Sequence, residues 1–218
     1  MAGKSRVANG PTPRGEMQIR QRICAEAARI MSAEGVRDFH TAKRKAALRL
    51  NIPNAKHLPS NEEVEAALRD YLQLFHAQRL STTLQHLRRI ALEAMRFLRA
   101  FDPRLVGPVL SGTVTAQSVI QLHVCADTPE EIGLLLAEYR IPYEETDKRL
   151  RYGGERQQSC PIYRFTVDAA TIELYVLNRQ SIREAPLSPV DGKPMKRASI
   201  KELSALLHPG DTAAPGEP

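Results

Sequence analysis

Apolar residues recur at helical spacing through the first half of the chain and at strand spacing through much of the second. Between residues 17 and 34, Ile19, Ile23, Ala27, Ile30 and Met31 line one face of a helix. Gly35 follows the last periodic position, where a left-handed cap suits glycine. A second helix is predicted over 41–50, with Ala46, Ala47, Leu48 and Leu50 beside the basic cluster Lys43, Arg44, Lys45 and Arg49, and Pro53 stops it. Ser60, with Glu63 three residues later, makes a capping box that opens a third helix on Val64, Leu68, Tyr71, Leu72 and Phe75. A fourth spans 82–100 on Leu84, Leu87, Ala91, Met95 and Leu98, with Arg88, Arg89, Arg96 and Arg99 largely turned away. Phe101, Asp102 and Pro103 end it.

From residue 102 the pattern changes. The runs 105–110 and 120–126 are short, rich in β-branched residues and bounded by Gly and Ser, which predicts strands. Asp127, Thr128, Pro129 and Glu130 open a helix to about residue 139. Three more strand-like runs cover 143–152, 162–167 and 171–176, separated by turn signals at Gly153-Gly154 and Asp168-Ala169-Ala170. A proline-punctuated loop over 184–196 follows, and Ser199 with Glu202 forms a second capping box ahead of a last helix through Leu207. The expected fold is α+β. A basic helical unit, 17–101, precedes a small mixed or antiparallel sheet with flanking helices, 102–207, between Gly- and Pro-rich tails at 1–16 and 208–218.

Composition narrows the class. With 42 % hydrophobic and 26 % charged residues in 218, the chain can bury a core, which excludes wholesale disorder and fibrous architectures. No apolar run approaches the roughly 20 residues that cross a bilayer, and the first residues lack the apolar stretch of a secretory signal. The expectation is a cytoplasmic protein with no membrane partner. Cys24, Cys125 and Cys160 are odd in number and far apart, so they read as reduced thiols filling core space. The six histidines, His40, His57, His76, His86, His123 and His208, show no paired spacing, and no metal site is expected from them.

The net charge of +6 is unevenly placed. Residues 17–101 hold fifteen basic against eight acidic side chains, whereas 102–218 hold thirteen against sixteen. The basic half suits a nucleic-acid partner held through phosphate contacts, with Lys43, Arg44, Lys45 and Arg49 as the candidate contacts. Aromatic residues are sparse there, so base stacking has little to work with.

The residues from 105 to 124 carry the most informative spacing. Gly107 ends an apolar run, Gly112-Thr113 follow after four residues, and a polar turn leads to Ser118-Val119-Ile120-Gln121-Leu122-His123-Val124. This stretch resembles the signature of the minimal nucleotidyltransferases, relatives of DNA polymerase β: a strand, Gly-Ser, about four residues, Gly-Thr, a turn, then Ser-Asp-Ile-Asp on the next strand. The whole chain is also similar to a bacterial nucleotidyltransferase-like family. The resemblance implies that Gly107, Gly112, Thr113 and Ser118 shape a cleft lined by Gln121 and His123. It further implies that Glu173 takes the place of the family's third metal-binding acid, the one position where catalysis is implied. In that family two carboxylates at i and i+2 share one face of a strand and, with the third acid, hold the Mg²⁺ that neutralises the departing pyrophosphate.

The departures fall on the chemistry. The two acidic positions are occupied by Val119 and Gln121, and Pro108 stands where the family has serine. Valine offers no ligand, glutamine one neutral oxygen, and proline no N–H. The resemblance therefore implies a degenerate, catalytically inactive module that binds a nucleotide or regulates a partner, with no cofactor. Mg²⁺ enters only if transferase activity survives. Homo-oligomerisation through the helices is a further expectation. Gly107 and Gly112 can equally punctuate ordinary strands. A second resemblance stays open: helix, Glu34-Gly35 and a short basic helix resemble the opening of TetR-type repressors, though 53–59 is long for the tight turn of a helix-turn-helix. No nucleophile elbow, Walker-type loop or dinucleotide fingerprint occurs.

Overall fold

The computed structural model describes residues 13–52, 58–115, 117–154, 156–178 and 183–208. Of the expected tails, 1–12 and 209–218 lie outside these residues, as do Pro53 and 54–57 of the expected loop. The chain divides into two compact units, Met1–Tyr71 and Leu72–Pro218.

In the first unit, α1 (Pro13–Glu34) begins ahead of residue 17. Proline suits the first helical turn, where its missing N–H has no intrahelical partner, and Glu16 in that turn favours the positive end of the helix dipole. Gly35 follows the helix with φ +68°. Asp38 caps α2 (Phe39–Arg49), its carboxylate accepting the Thr41 N–H at 2.7 Å. Ile23, Ala27, Ile30, Ala42, Ala46 and Val64 are fully buried. Both halves of the Ser60–Glu63 capping box form: the Ser60 N–H donates to Glu63 at 2.6 Å and the Glu63 N–H to the Ser60 hydroxyl at 3.1 Å.

The box opens α3 (Asn61–Phe97), one continuous helix where the sequence suggested two. Neither Pro nor Gly occurs from residue 61 to 102, and the β-branched pair Thr82-Thr83 costs only about 1 kcal/mol of helix propensity in all. The boundary between units falls within α3, not near residue 102. The physical reason lies in the packing of its C-terminal half. Leu87, Ile90, Ala91, Leu92, Met95 and Leu98 share one core with the sheet that follows.

That sheet makes the second unit α+β. Its strands are β1 (Arg104–Val106), β2 (Ile120–Cys125), β3 (Glu144–Arg151), β4 (Gln157–Val167) and β5 (Ala170–Leu177), in the order β1-β2-β5-β4-β3. Only β2 and β5 run parallel. Helices α4 (Pro108–Ser111), α5 (Glu130–Glu138) and α6 (Ile200–Leu207) complete the unit. The expected strand 105–110 stops at Val106, because Gly107 turns the backbone to φ +71° and Pro108 starts a helical turn. Asp168 and Ala169, with φ +47° and +63°, close the β4–β5 hairpin as a two-residue turn of the type that matches strand twist.

Side-chain alternation gives the sheet two different faces. Leu105, Ile120, Leu122, Ile172, Leu174 and Phe165 join α3, α5 and α6 in the main core. The opposite face carries Gln121, His123, Glu173 and Tyr175, beside a smaller cluster of Leu150, Tyr152, Cys160, Ile162 and Leu177. Beyond β5 the chain reaches both edges of the sheet. The Leu187 N–H donates to the Arg151 carbonyl at 2.6 Å, and Ala198 exchanges two backbone hydrogen bonds with Leu105 at 2.8 and 2.9 Å. Ser199 and Glu202 cap α6 reciprocally, as the sequence predicts. Among the described residues no helix is long and apolar enough to cross a membrane. Cys24 and Cys160 are buried free thiols and Cys125 is half-buried.

Candidate functional site

Parallel pairing of β2 with β5 sets Gln121 beside Glu173 and His123 beside Tyr175. Three of the residues singled out from sequence, Gln121, His123 and Glu173, therefore share one sheet face. Antiparallel pairing adds Arg164, opposite Glu173 on β4. Arg164 donates to the Glu173 carboxylate at 2.8 Å, and the Tyr175 hydroxyl donates to its other oxygen at 3.1 Å. The same hydroxyl accepts from the Gln121 amide at 3.3 Å and from the Lys148 ammonium at 3.2 Å, whose nitrogen lies 5.4 Å from the Tyr175 ring centre. Burial, with the negative charge of Glu173 and its hydrogen bond behind it, raises the Tyr175 phenol far above its ordinary range. It stays protonated and acts as donor to Glu173.

His123 is 1 % exposed, with its ring 5.7 Å from that of Tyr175. Burial, reinforced by the positive charge of Arg197, lowers its pKa to about 3, so the imidazole is neutral at physiological pH. Among the described residues neither His123 Nδ1 nor Arg164 Nε has a hydrogen-bond partner.

The glycine loop beside this network is held by its own backbone. Gly107 combines φ +71° with ψ −153°, a conformation open to glycine alone, and a Cβ there would collide with the Gln121 amide oxygen. Gly112 ends α4 at φ +83°, donating to the Pro108 carbonyl at 2.8 Å. Thr113 is buried and shares a hydrogen bond with Ser111 at 2.8 Å, while Ser118 accepts the Thr115 N–H at 2.8 Å. Thr113 and Ser118 thus fix the loop, and these bonds do not reach the Gln121–Tyr175–Glu173 network. Arg88, read from sequence as turned away, is half-buried and donates to the Val109 and Leu110 carbonyls at 3.2 Å each.

The side chains at the family's metal-binding positions do not fit a divalent ion. Magnesium wants near-octahedral oxygen ligands at about 2.0–2.1 Å, carboxylates among them. Val119 is buried hydrocarbon, Gln121 is neutral, and the one carboxylate, Glu173, is 5 % exposed and engaged by a guanidinium and a phenol. Among the described residues no group of three His, Cys, Asp or Glu side chains gathers.

The basic cluster of the first unit is largely engaged within that unit. Lys43 is half-buried, its ammonium donating to the Pro59 carbonyl at 2.9 Å and to Asn61 Oδ1 at 2.7 Å. Arg49 pairs with Glu34 at 2.6 Å and Glu26 at 3.2 Å, and Lys45 lies 3.7 Å from Glu34. Arg44 alone of the four is exposed with no ion pair among the described residues. Lys148, Arg164 and Tyr175 are members of the candidate site that the sequence reading missed. Tyr175 stands two residues from Glu173, a spacing that places both on one strand face.

Compared with models of known protein families and with curated proteins, the chain gives no match to either.

Proposed function

We propose that the α+β unit is a nucleotidyltransferase-like binding or regulatory module that takes a nucleotide ligand and carries out no metal-dependent transfer. The observation that carries this reading is the state of Glu173. Its carboxylate is buried and neutralised by Arg164 at 2.8 Å, with Tyr175 at 3.1 Å, which leaves it poorly placed to hold a cation. The glycine turn at 107 and the Gln121 amide packed against it supply a shaped polar surface next to that network. The Tyr175 hydroxyl is fully used within the network, so recognition of a base or ribose falls to the half-buried Gln121 amide, which can both donate and accept.

The test is equilibrium dialysis of the full chain against ATP, GTP, CTP and UTP, paired with a transfer assay in the presence of Mg²⁺. Saturable binding of at least one nucleotide, weakened tenfold or more by Gln121→Ala and unaccompanied by transfer, is the expected result. Mg²⁺-dependent transfer that Glu173→Gln abolishes would sink the inactive reading. Failure to bind any of the four would sink the nucleotide.

A further inference from the structure

Strand β3 is the outer edge of the sheet, and its residues Glu144 to Arg149 are all exposed. The Tyr152 N–H donates to the Arg156 carbonyl at 2.8 Å, one step beyond the Arg151–Gln157 pair, which fixes the phase of the ladder. By the alternation of antiparallel pairing, even-numbered β3 residues turn their peptide groups to β4, and Glu145, Asp147, Arg149 and Arg151 turn theirs outward. The outward Arg151 carbonyl is taken by the Leu187 N–H at 2.6 Å. Among the described residues the outward peptide groups of Glu145, Asp147 and Arg149 have no strand to pair with.

The side chains of β3 are divided by charge. Glu144, Glu145 and Asp147 form its first half, and Lys148, Arg149 and Arg151 its second. A second copy laid alongside in parallel would place like charge on like. Laid antiparallel, it sets each acidic half on the other's basic half, which both attracts and fixes direction.

We infer that β3 is a self-association edge: two copies of the chain pair their β3 strands antiparallel about a two-fold axis at Asp147. The register follows from the backbone. A two-fold axis through an antiparallel pair places one residue opposite itself, and only Asp147 as that residue uses all three free positions. Glu145 then faces Arg149 of the second copy, and Arg149 faces Glu145 of the second copy. Two five-stranded sheets become one of ten strands, and the exposed edge that would otherwise template unwanted pairing is covered. Asp147 meeting itself is the one repulsive element, and it gives the proposal a sign.

Sedimentation of the full chain across a micromolar range tests it. Wild type is expected to dimerise, Asp147→Asn to tighten the dimer severalfold, and Glu145→Arg or Arg149→Glu each to weaken it at least tenfold. An equimolar mixture of those two variants restores a heterodimer, a recovery that misfolding could not produce. Oxidation of Asp147→Cys is expected to crosslink two copies, since Cα atoms of a hydrogen-bonded pair lie about 5.5 Å apart, within disulfide reach. A wild-type chain that stays monomeric, or a dimer that neither charge variant weakens, overturns the inference.

Discussion

Gln121 and Glu173 are direct partners on parallel strands, yet the Tyr175 hydroxyl stands between their side chains, accepting from the first at 3.3 Å and donating to the second at 3.1 Å. A phenol in that position turns a strand pair that could have flanked an ion into a closed hydrogen-bond chain running from Gln121 to Arg164.

That chain has a measurable coupling. Glu173→Gln and Arg164→Met should each destabilise the fold by about 1–2 kcal/mol, and the double variant by less than their sum. Arg164 is 43 % exposed, so solvent screening holds the coupling itself to about 1 kcal/mol. Urea unfolding of the four proteins of the cycle measures it, and strict additivity would show that the ion pair contributes nothing.

His123 makes stability depend on pH. Its folded-state pKa is about 3 and the unfolded value about 6.5, so the unfolded chain binds the extra proton as pH falls. Stability is therefore full above about pH 6.5 and is lost between there and pH 3, by roughly 2 kcal/mol at pH 5. Denaturation midpoints at pH 7 and pH 5 should differ in the wild type and converge in His123→Phe.

Gly107→Ala should cost about 2 kcal/mol or more, because alanine is strained at φ +71° and its methyl collides with Gln121. Adding Gln121→Ala removes the collision and leaves the strain, so thermal melts should show partial recovery. Full recovery would mean that the backbone conformation carries no penalty.

Lys43→Met should lower the stability of the first unit by about 1–2 kcal/mol through loss of the Pro59 and Asn61 contacts, while Arg44→Met stays within about 0.5 kcal/mol. Retention on a nucleic-acid column at low salt separates the roles further. If binding occurs there, Arg44→Glu reduces it without altering the melting temperature.

Local signals made much of the fold readable from sequence. Two Ser–Glu capping boxes, Gly35 after α1 and the turn at Asp168-Ala169 all act within a few residues of themselves and stand where their spacing places them, except that Ala170 of the expected turn already belongs to β5. The continuity of α3 was not readable in the same way, because Ser81-Thr82-Thr83 weakens the apolar stripe without breaking the backbone. At the candidate site, the position of Glu173 beside Gln121 follows from β2 pairing with β5, and the two stand 52 positions apart in the chain. Arg164 and Lys148 arrive from β4 and β3, so only the strand order reveals them. The helix face turns Arg88 away from the apolar stripe, but the α4 carbonyls it bonds come from beyond the next strand, out of reach of helical spacing.

The segment after β5 binds the two ends of the sheet, Leu187 at Arg151 of β3 and Ala198 at Leu105 of β1. During synthesis, β1 emerges first of the five strands, and its outer side must wait for residue 198 before Leu105 finds its partner. The nascent sheet thus spends most of its own translation with an open flank at β1, and the late segment then fastens β1 at Leu105 and β3 only at Arg151, which leaves the rest of the β3 edge uncovered.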